Sequence, residues 1–155
     1  MMVRRERMSS VLSGLSLMLT LGLSAGCADN PTAPTAELVT ETFTGTLTPL
    51  GVSSHTFNVN YAQAYSDASV TVTRLVTVAD NTERQISVGV GFGTISVGVC
   101  TRAAVLTNPT AAYNTELPTN GSPFLAGTFC IAIFDNTATP TVTEPLTYTL
   151  TIKHY

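Results

Sequence analysis

Residues 42–48 read Thr-Phe-Thr-Gly-Thr-Leu-Thr, a threonine at every second position with an apolar residue or glycine between. A period of two suits a β-strand with one buried and one wet face, because successive Cβ atoms point to opposite sides of a sheet. Threonine's β-branch adds to the preference for a pleated, half-exposed surface. The rhythm recurs downstream. Phe57, Val59 and Tyr61 alternate with Thr56, Asn58 and Asn60, and similar series follow in Val70, Val72, Val76 and Val78 and in Ile86, Val88, Val90 and Phe92. Further series are Ile95, Val97 and Val99; Phe129, Ile131 and Ile133; and Leu146, Tyr148, Leu150 and Ile152. These segments predict about seven or eight short strands separated by turn-rich stretches, an all-β fold built as an antiparallel β-sandwich of jelly-roll or Greek-key type. No segment offers a convincing amphipathic helix; Arg102–Leu106 and Ala111–Leu117 would each make a turn or so.

One repeat stands out: Ile86-Ser87-Val88-Gly89-Val90 returns as Ile95-Ser96-Val97-Gly98-Val99, with Gly91-Phe92-Gly93-Thr94 between. The expected arrangement is two adjacent strands joined by a turn at Gly91 and Gly93. A phosphate cradle would need a helix after the glycines to present its amides, and none is predicted. The longest irregular stretch expected is Thr107 to Ala126.

The N-terminus has a different character. Met1 to Ser10 are basic, and residues 11–23 supply 13 mostly apolar positions. That run is short of the roughly 20 residues a membrane-spanning helix needs and fits the apolar region of a signal peptide. Ser24-Ala25-Gly26-Cys27 follows, and residues 28–40 then carry Pro31 and Pro34 among small polar residues, the composition of an extended tether. The expected organisation is a signal peptide at 1–26, a modified Cys27 with its tether at 27–40, and a sandwich domain at 41–155.

The chain's 155 residues bound it to one domain of ordinary size. Without the leader, four basic residues (Arg74, Arg84, Arg102 and Lys153) face nine acidic ones, a net charge of −5. Four scattered cations cannot form the stripe that displaces counterions from phosphates, so nucleic acid is not an expected partner. Cys100 and Cys130 lie in predicted strands of an exported chain, where a disulfide is the natural pairing.

Leu23 to Cys27 resembles the lipobox of bacterial lipoproteins, with Ser24 where that family prefers a branched aliphatic residue. The resemblance implies that Cys27 is acylated and becomes the N-terminus, anchoring the protein in a membrane. Ala28 after it implies passage to the outer membrane of a diderm bacterium. The alternatives are an ordinary secretory signal that leaves Cys27 as a loop thiol, or an uncleaved anchor. The order of segments in the domain also resembles the bacterial pre-peptidase C-terminal (PPC) family. The matching pieces are Thr44–Pro49, Ser53–Asn60, Ala68–Leu75, Gly98–Cys100, Ala126–Asp135 and Leu146–His154. Ser53 and His55 depart from the aspartate and tyrosine common there. The kinship implies a β-sandwich and an exported compartment, not a reaction.

Nucleophilic catalysis needs an activated serine or cysteine beside an oriented histidine. The chain has no Gly-x-Ser-x-Gly and only two histidines, His55 on a strand and His154 at an expected frayed C-terminus. No enzymatic role and no catalytic residue are expected, and a zinc site lacks the nitrogen and sulfur ligands it needs. Hard oxygen donors cluster at Asp80, Asn81 and Glu83 and at Asp135 and Asn136, which makes calcium the one cofactor to consider. Such residues are also favoured in turns for their side-chain to backbone bonds. Without tryptophan, a glycan platform would fall to Tyr61, Tyr65, Tyr113 and Phe124, read as the exposed aromatic set. The expected function is a non-catalytic, lipid-anchored envelope module for another envelope protein or polymer. The alternative is a carbohydrate- or extracellular-polymer-binding module stabilised by calcium.

Overall fold

The computed structural model describes residues 37–60, 64 and 66–155. Among them are eight strands and no helix: β1 (Val39–Leu47), β2 (Val52–Val59), β3 (Ser69–Thr77), β4 (Val88–Ser96), β5 (Val99–Ala111), β6 (Glu116–Pro118), β7 (Gly127–Phe134) and β8 (Leu146–His154). They form two four-stranded antiparallel sheets, ordered β1-β8-β3-β6 and β2-β7-β4-β5. The chain crosses from one sheet to the other at every step except β4 to β5, the interleaved order of a jelly roll.

The alternation places the core as expected. Phe43, Gly45 and Leu47 of β1 face inward and pair with Leu150, Tyr148 and Leu146 of β8. Phe57, Phe92, Ile131 and Ile133 of the second sheet meet Val70, Val72, Leu150 and Ile152 of the first in one apolar cluster. Gly45 is required where it stands, because a Cβ there would lie 2.5 Å from the Tyr148 hydroxyl and 2.7 Å from its ring. β1 begins at Val39, inside the stretch read as tether, since Val39 and Thr40 already pair with His154 and Lys153.

In three places the structure departs from the period-two reading. In β3 the register shifts between Val72 and Arg74, a bulge that inserts one residue and changes the phase. Leu75 therefore faces Tyr148 in the core, and Val78, read as an inward position, is exposed. The Gly91–Gly93 segment is not a turn. Both glycines lie inside β4, on the outward face with Gly89, and each accommodates a close neighbour. A Cβ on Gly89 would strike the Phe134 ring at 2.2 Å, one on Gly91 the Thr107 side chain at 2.5 Å, and one on Gly93 the Thr101 carbonyl oxygen at 2.1 Å. The turn comes later, at Val97-Gly98, so Ile95, Val97 and Val99 form an exposed hairpin tip instead of a third strand. The stretch expected to be irregular is largely structured: β5 runs to Ala111, β6 follows, and Phe124 bridges to Ser66.

Cys100 and Cys130 are bonded, with 5.8 Å between their Cα atoms. Cys100 pairs with Ile95 and Cys130 with Gly93, so the bond passes over β4 and ties β5 to β7.

Candidate functional site

Cys27, Tyr61 and Tyr65 lie outside the described residues. Phe124 is not the exposed ring that its place in the sequence suggests. It is 5% exposed and packs edge-on against Phe57, Phe92 and Phe129, with ring centroids 4.6 to 5.7 Å apart. Its bridge to Ser66 draws it into the mouth of the core. Tyr113 is half-buried against the core, its phenol donating to the Thr73 carbonyl at 3.3 Å. The Glu83 carboxylate close by raises its pKa. Neither ring is a free stacking platform.

The two groups of oxygen donors are engaged by neighbouring side chains and backbone amides. Asp80 accepts from the Thr77 hydroxyl and from the Thr82 amide, bonds that lower its pKa to about 2. Asn81, at φ 59°, accepts from Arg74 at 3.2 Å. Asp135 is buried. One carboxylate oxygen accepts from the Leu50 amide at 3.0 Å and the other from Thr141 and Val142 at 2.9 and 3.3 Å. Burial pushes this carboxyl up, but the three amides outweigh it and hold its pKa below the ordinary value. Asn136 accepts from the Ala138 amide and donates to the Thr139 hydroxyl. Among the described residues no three His, Cys, Asp or Glu side chains gather as a metal would require.

The histidines sit in opposite sheets, His55 in β2 and His154 in β8. His154 is not frayed. It pairs with Val39 inside β8, is 2% exposed, and its Nε2 lies 2.9 Å from Glu41 Oε1 while Nδ1 has no partner. His55 stacks on Phe43 and places Nε2 2.7 Å from the hydroxyl of Tyr148, which donates to Ser53 Oγ at 2.6 Å. Burial lowers the His55 pKa. It raises that of Tyr148, the Ser53 bond opposing it. Among the described residues neither imidazole hydrogen-bonds a serine or a cysteine. The Ser53, His55 and Tyr148 group joins β2 to β8 and acts as a polar clip between the sheets.

An open groove lies instead along the seam between the two edge strands, β5 and β6. β6 is only three residues long and covers only Ser69 to Thr71 of β3, so beyond it the first sheet ends one strand earlier, at β3. β5 loses register with β4 between Arg102 and Thr107, and the intervening segment bulges, held by a bond from the Thr107 hydroxyl to the Ala103 carbonyl at 2.8 Å. On one side of the bulge a cleft of about 170 Å³ has Val90, Phe92 and Val70 as its floor and Asn108 and Asn120 on its rim, with Thr119 buried behind them and accepting from the Ala68 amide at 3.1 Å. On the other side a cleft of about 290 Å³ is lined mainly by Leu106, Pro123, Phe124 and Phe129, with Arg102 beside it. The Arg102 guanidinium rests 3.8 Å above the Phe134 ring centre. Leu106 borders both clefts. Sequence reasoning identified the segment as a loop but not its rim amides; the available signal was Asn120-Gly121, a tight-turn pair that presents side chains at a sheet edge.

No family model matches the sequence, and no curated protein matches it. Among solved structures the fold is similar to that of the Yersinia pseudotuberculosis-derived mitogen, at TM-score 0.47 and 14% identity, aligning 76% of this chain with 86% of that one.

Proposed function

We propose that the chain is a lipid-anchored, non-catalytic protein of the bacterial envelope, cleaved before Cys27, acylated there, and tethered through Ala28 to Leu38. The observation that carries this reading is Ser24-Ala25-Gly26-Cys27 directly after an apolar run too short to span a bilayer. The Cys100–Cys130 disulfide supports it, because such bonds persist in oxidising compartments. The segment order that resembles PPC modules points to the same compartment, and the outer membrane of a diderm bacterium is the destination that Ala28 suggests. The test is fractionation of cells expressing the full chain and its Cys27→Ser variant. The parent is expected in the membrane pellet and the variant in the soluble periplasmic fraction; equal distribution of the two refutes the anchor.

A second reading concerns the partner, and the seam beside β5 favours it. Its smaller cleft offers the uncharged side-chain amides of Asn108 and Asn120 over an apolar floor. That chemistry suits a neutral, hydroxyl-rich polymer better than a charged one, so the module's partner is proposed to be an extracellular glycan held at this seam rather than on aromatic platforms. Calorimetric titration with neutral oligosaccharides checks it: Asn108→Ala should weaken binding, and an unchanged affinity removes the seam from consideration.

A further inference from the structure

The β4–β5 hairpin turns on Val97-Gly98, with φ of 50° and 76°, between the paired residues Ser96 and Val99. Two successive residues at positive φ make the tight turn that matches strand twist, and asparagine followed by glycine adopts it without strain. This chain uses that pair at Asn120-Gly121, with φ of 51° and 78°. At the hairpin tip it has a valine instead, a branched residue that resists the left-handed region, and leaves it 100% exposed. Ile95 and Val99 beside it are also exposed, and Ile86 to Thr101 contains no Asp, Glu, Lys, Arg or His. Nothing in the described domain covers this strained, apolar tip.

The strand registers place the tip at one pole. Thr94 pairs with Phe129 and Phe129 with Phe57. Phe57 meets His154 across the sandwich, ring centroids 5.2 Å apart, and His154 pairs with Val39 at the start of β1. The polypeptide therefore joins the sandwich at the pole from which the hairpin projects. Leu38, Leu125 and Tyr155, also at this pole, are exposed. Cys27 precedes Leu38 by a stretch that spans about 40 Å at most when fully extended.

We propose that this pole rests on the lipid surface that holds Cys27, with Val97 and its apolar neighbours inserted among the headgroups and upper acyl chains. The inference rests on the lipid-anchor reading above. The tip has no cations and the domain is net acidic, so the contact is apolar in origin and gains nothing from anionic lipid in the membrane.

The chain has no tryptophan, so one introduced indole reports one place. Full-length Val97→Trp and, at the opposite pole, Val78→Trp are purified from membranes and reconstituted in phosphatidylethanolamine–phosphatidylglycerol vesicles, with or without brominated acyl chains. The indole at position 97 should emit further to the blue and be quenched by bromine about twofold more than that at 78, as insertion some 5–10 Å deep requires. Val99→Trp supplies the same reading from the strand should Val97→Trp fold poorly. A chain that floats with the vesicles but is quenched equally at both poles overturns this inference and leaves the anchor standing. A chain without lipid on Cys27 that does not float overturns both. A blue shift that rises with protein density and ignores bromine assigns the tip to a second copy and overturns the lipid contact.

Discussion

Breaking the Cys100–Cys130 bond is the perturbation whose size follows most directly from the topology. The two cysteines are 30 residues apart in sequence, and the closed loop contains most of β5, all of β6 and the start of β7. In the chain-entropy treatment a loop of that length removes about 12 cal/mol/K from the denatured ensemble, or about 3.7 kcal/mol at 25 °C. For a domain of this size that corresponds to a fall in Tm of about 15 °C. The variant is Cys100→Ala with Cys130→Ala, in a Cys27→Ser background so that no third thiol exchanges with the bond. Alanine suits position 130 because the sulfur there is fully buried and a serine hydroxyl would lack a partner. The assay is urea unfolding followed by circular dichroism, compared with the oxidised parent and with the parent under reductant. The m-value should rise as the denatured chain expands. A loss under about 1 kcal/mol with unchanged m would refute the reasoning, since the bond would then be constraining a segment already ordered without it.

Four further outcomes are expected. Asp135→Asn keeps one acceptor but turns an amino group toward a backbone amide, and should cost about 2–3 kcal/mol at neutral pH. The folded-state pKa of Asp135 is depressed, so its stabilisation is present above the unfolded carboxyl pKa and lost as pH falls through the lower folded value; a parent Tm flat between pH 5 and 2 would contradict this. Val97→Asn replaces a branched residue at positive φ by the one the turn prefers and should stabilise the domain by about 1 kcal/mol in the same urea assay, while weakening vesicle contact. Gly93→Ala puts a methyl 2.1 Å from the Thr101 carbonyl oxygen, and a cost of about 2 kcal/mol or more is expected by thermal melting; a neutral result would show that β5 can give way there.

What could be read from the sequence was what depends on local period. The inward sets Phe43, Gly45 and Leu47 and Leu146, Tyr148, Leu150 and Ile152 stand where alternation puts them, and so does the disulfide. Alternation misleads where an extra residue enters the ladder. The bulge after Val72 moves Leu75 into the core and Val78 out of it, and nothing in Val70–Val78 signals it because every residue there suits a strand. The glycines of β4 illustrate a second limit. A glycine in sequence serves either to turn the chain or to admit a neighbour, and only the position of Thr101, Thr107 and Phe134 decides for the second. Phe124 was misplaced for a similar reason: its segment has no period, so its burial depends on the distant Phe57, Phe92 and Phe129. The groove was illegible because it arises from the shortness of β6 and the bulge in β5, which are properties of two edges and not of any motif.

The reading of the whole chain turns on Cys27, and the mass of its N-terminal peptide tests that most directly. Protein made from the full sequence in a diderm bacterium, digested and analysed by mass spectrometry, should begin at Cys27 and carry a diacylglyceryl group on sulfur and a third acyl chain on its α-amino group. A mature N-terminus elsewhere, or a free thiol at position 27, would contradict the account.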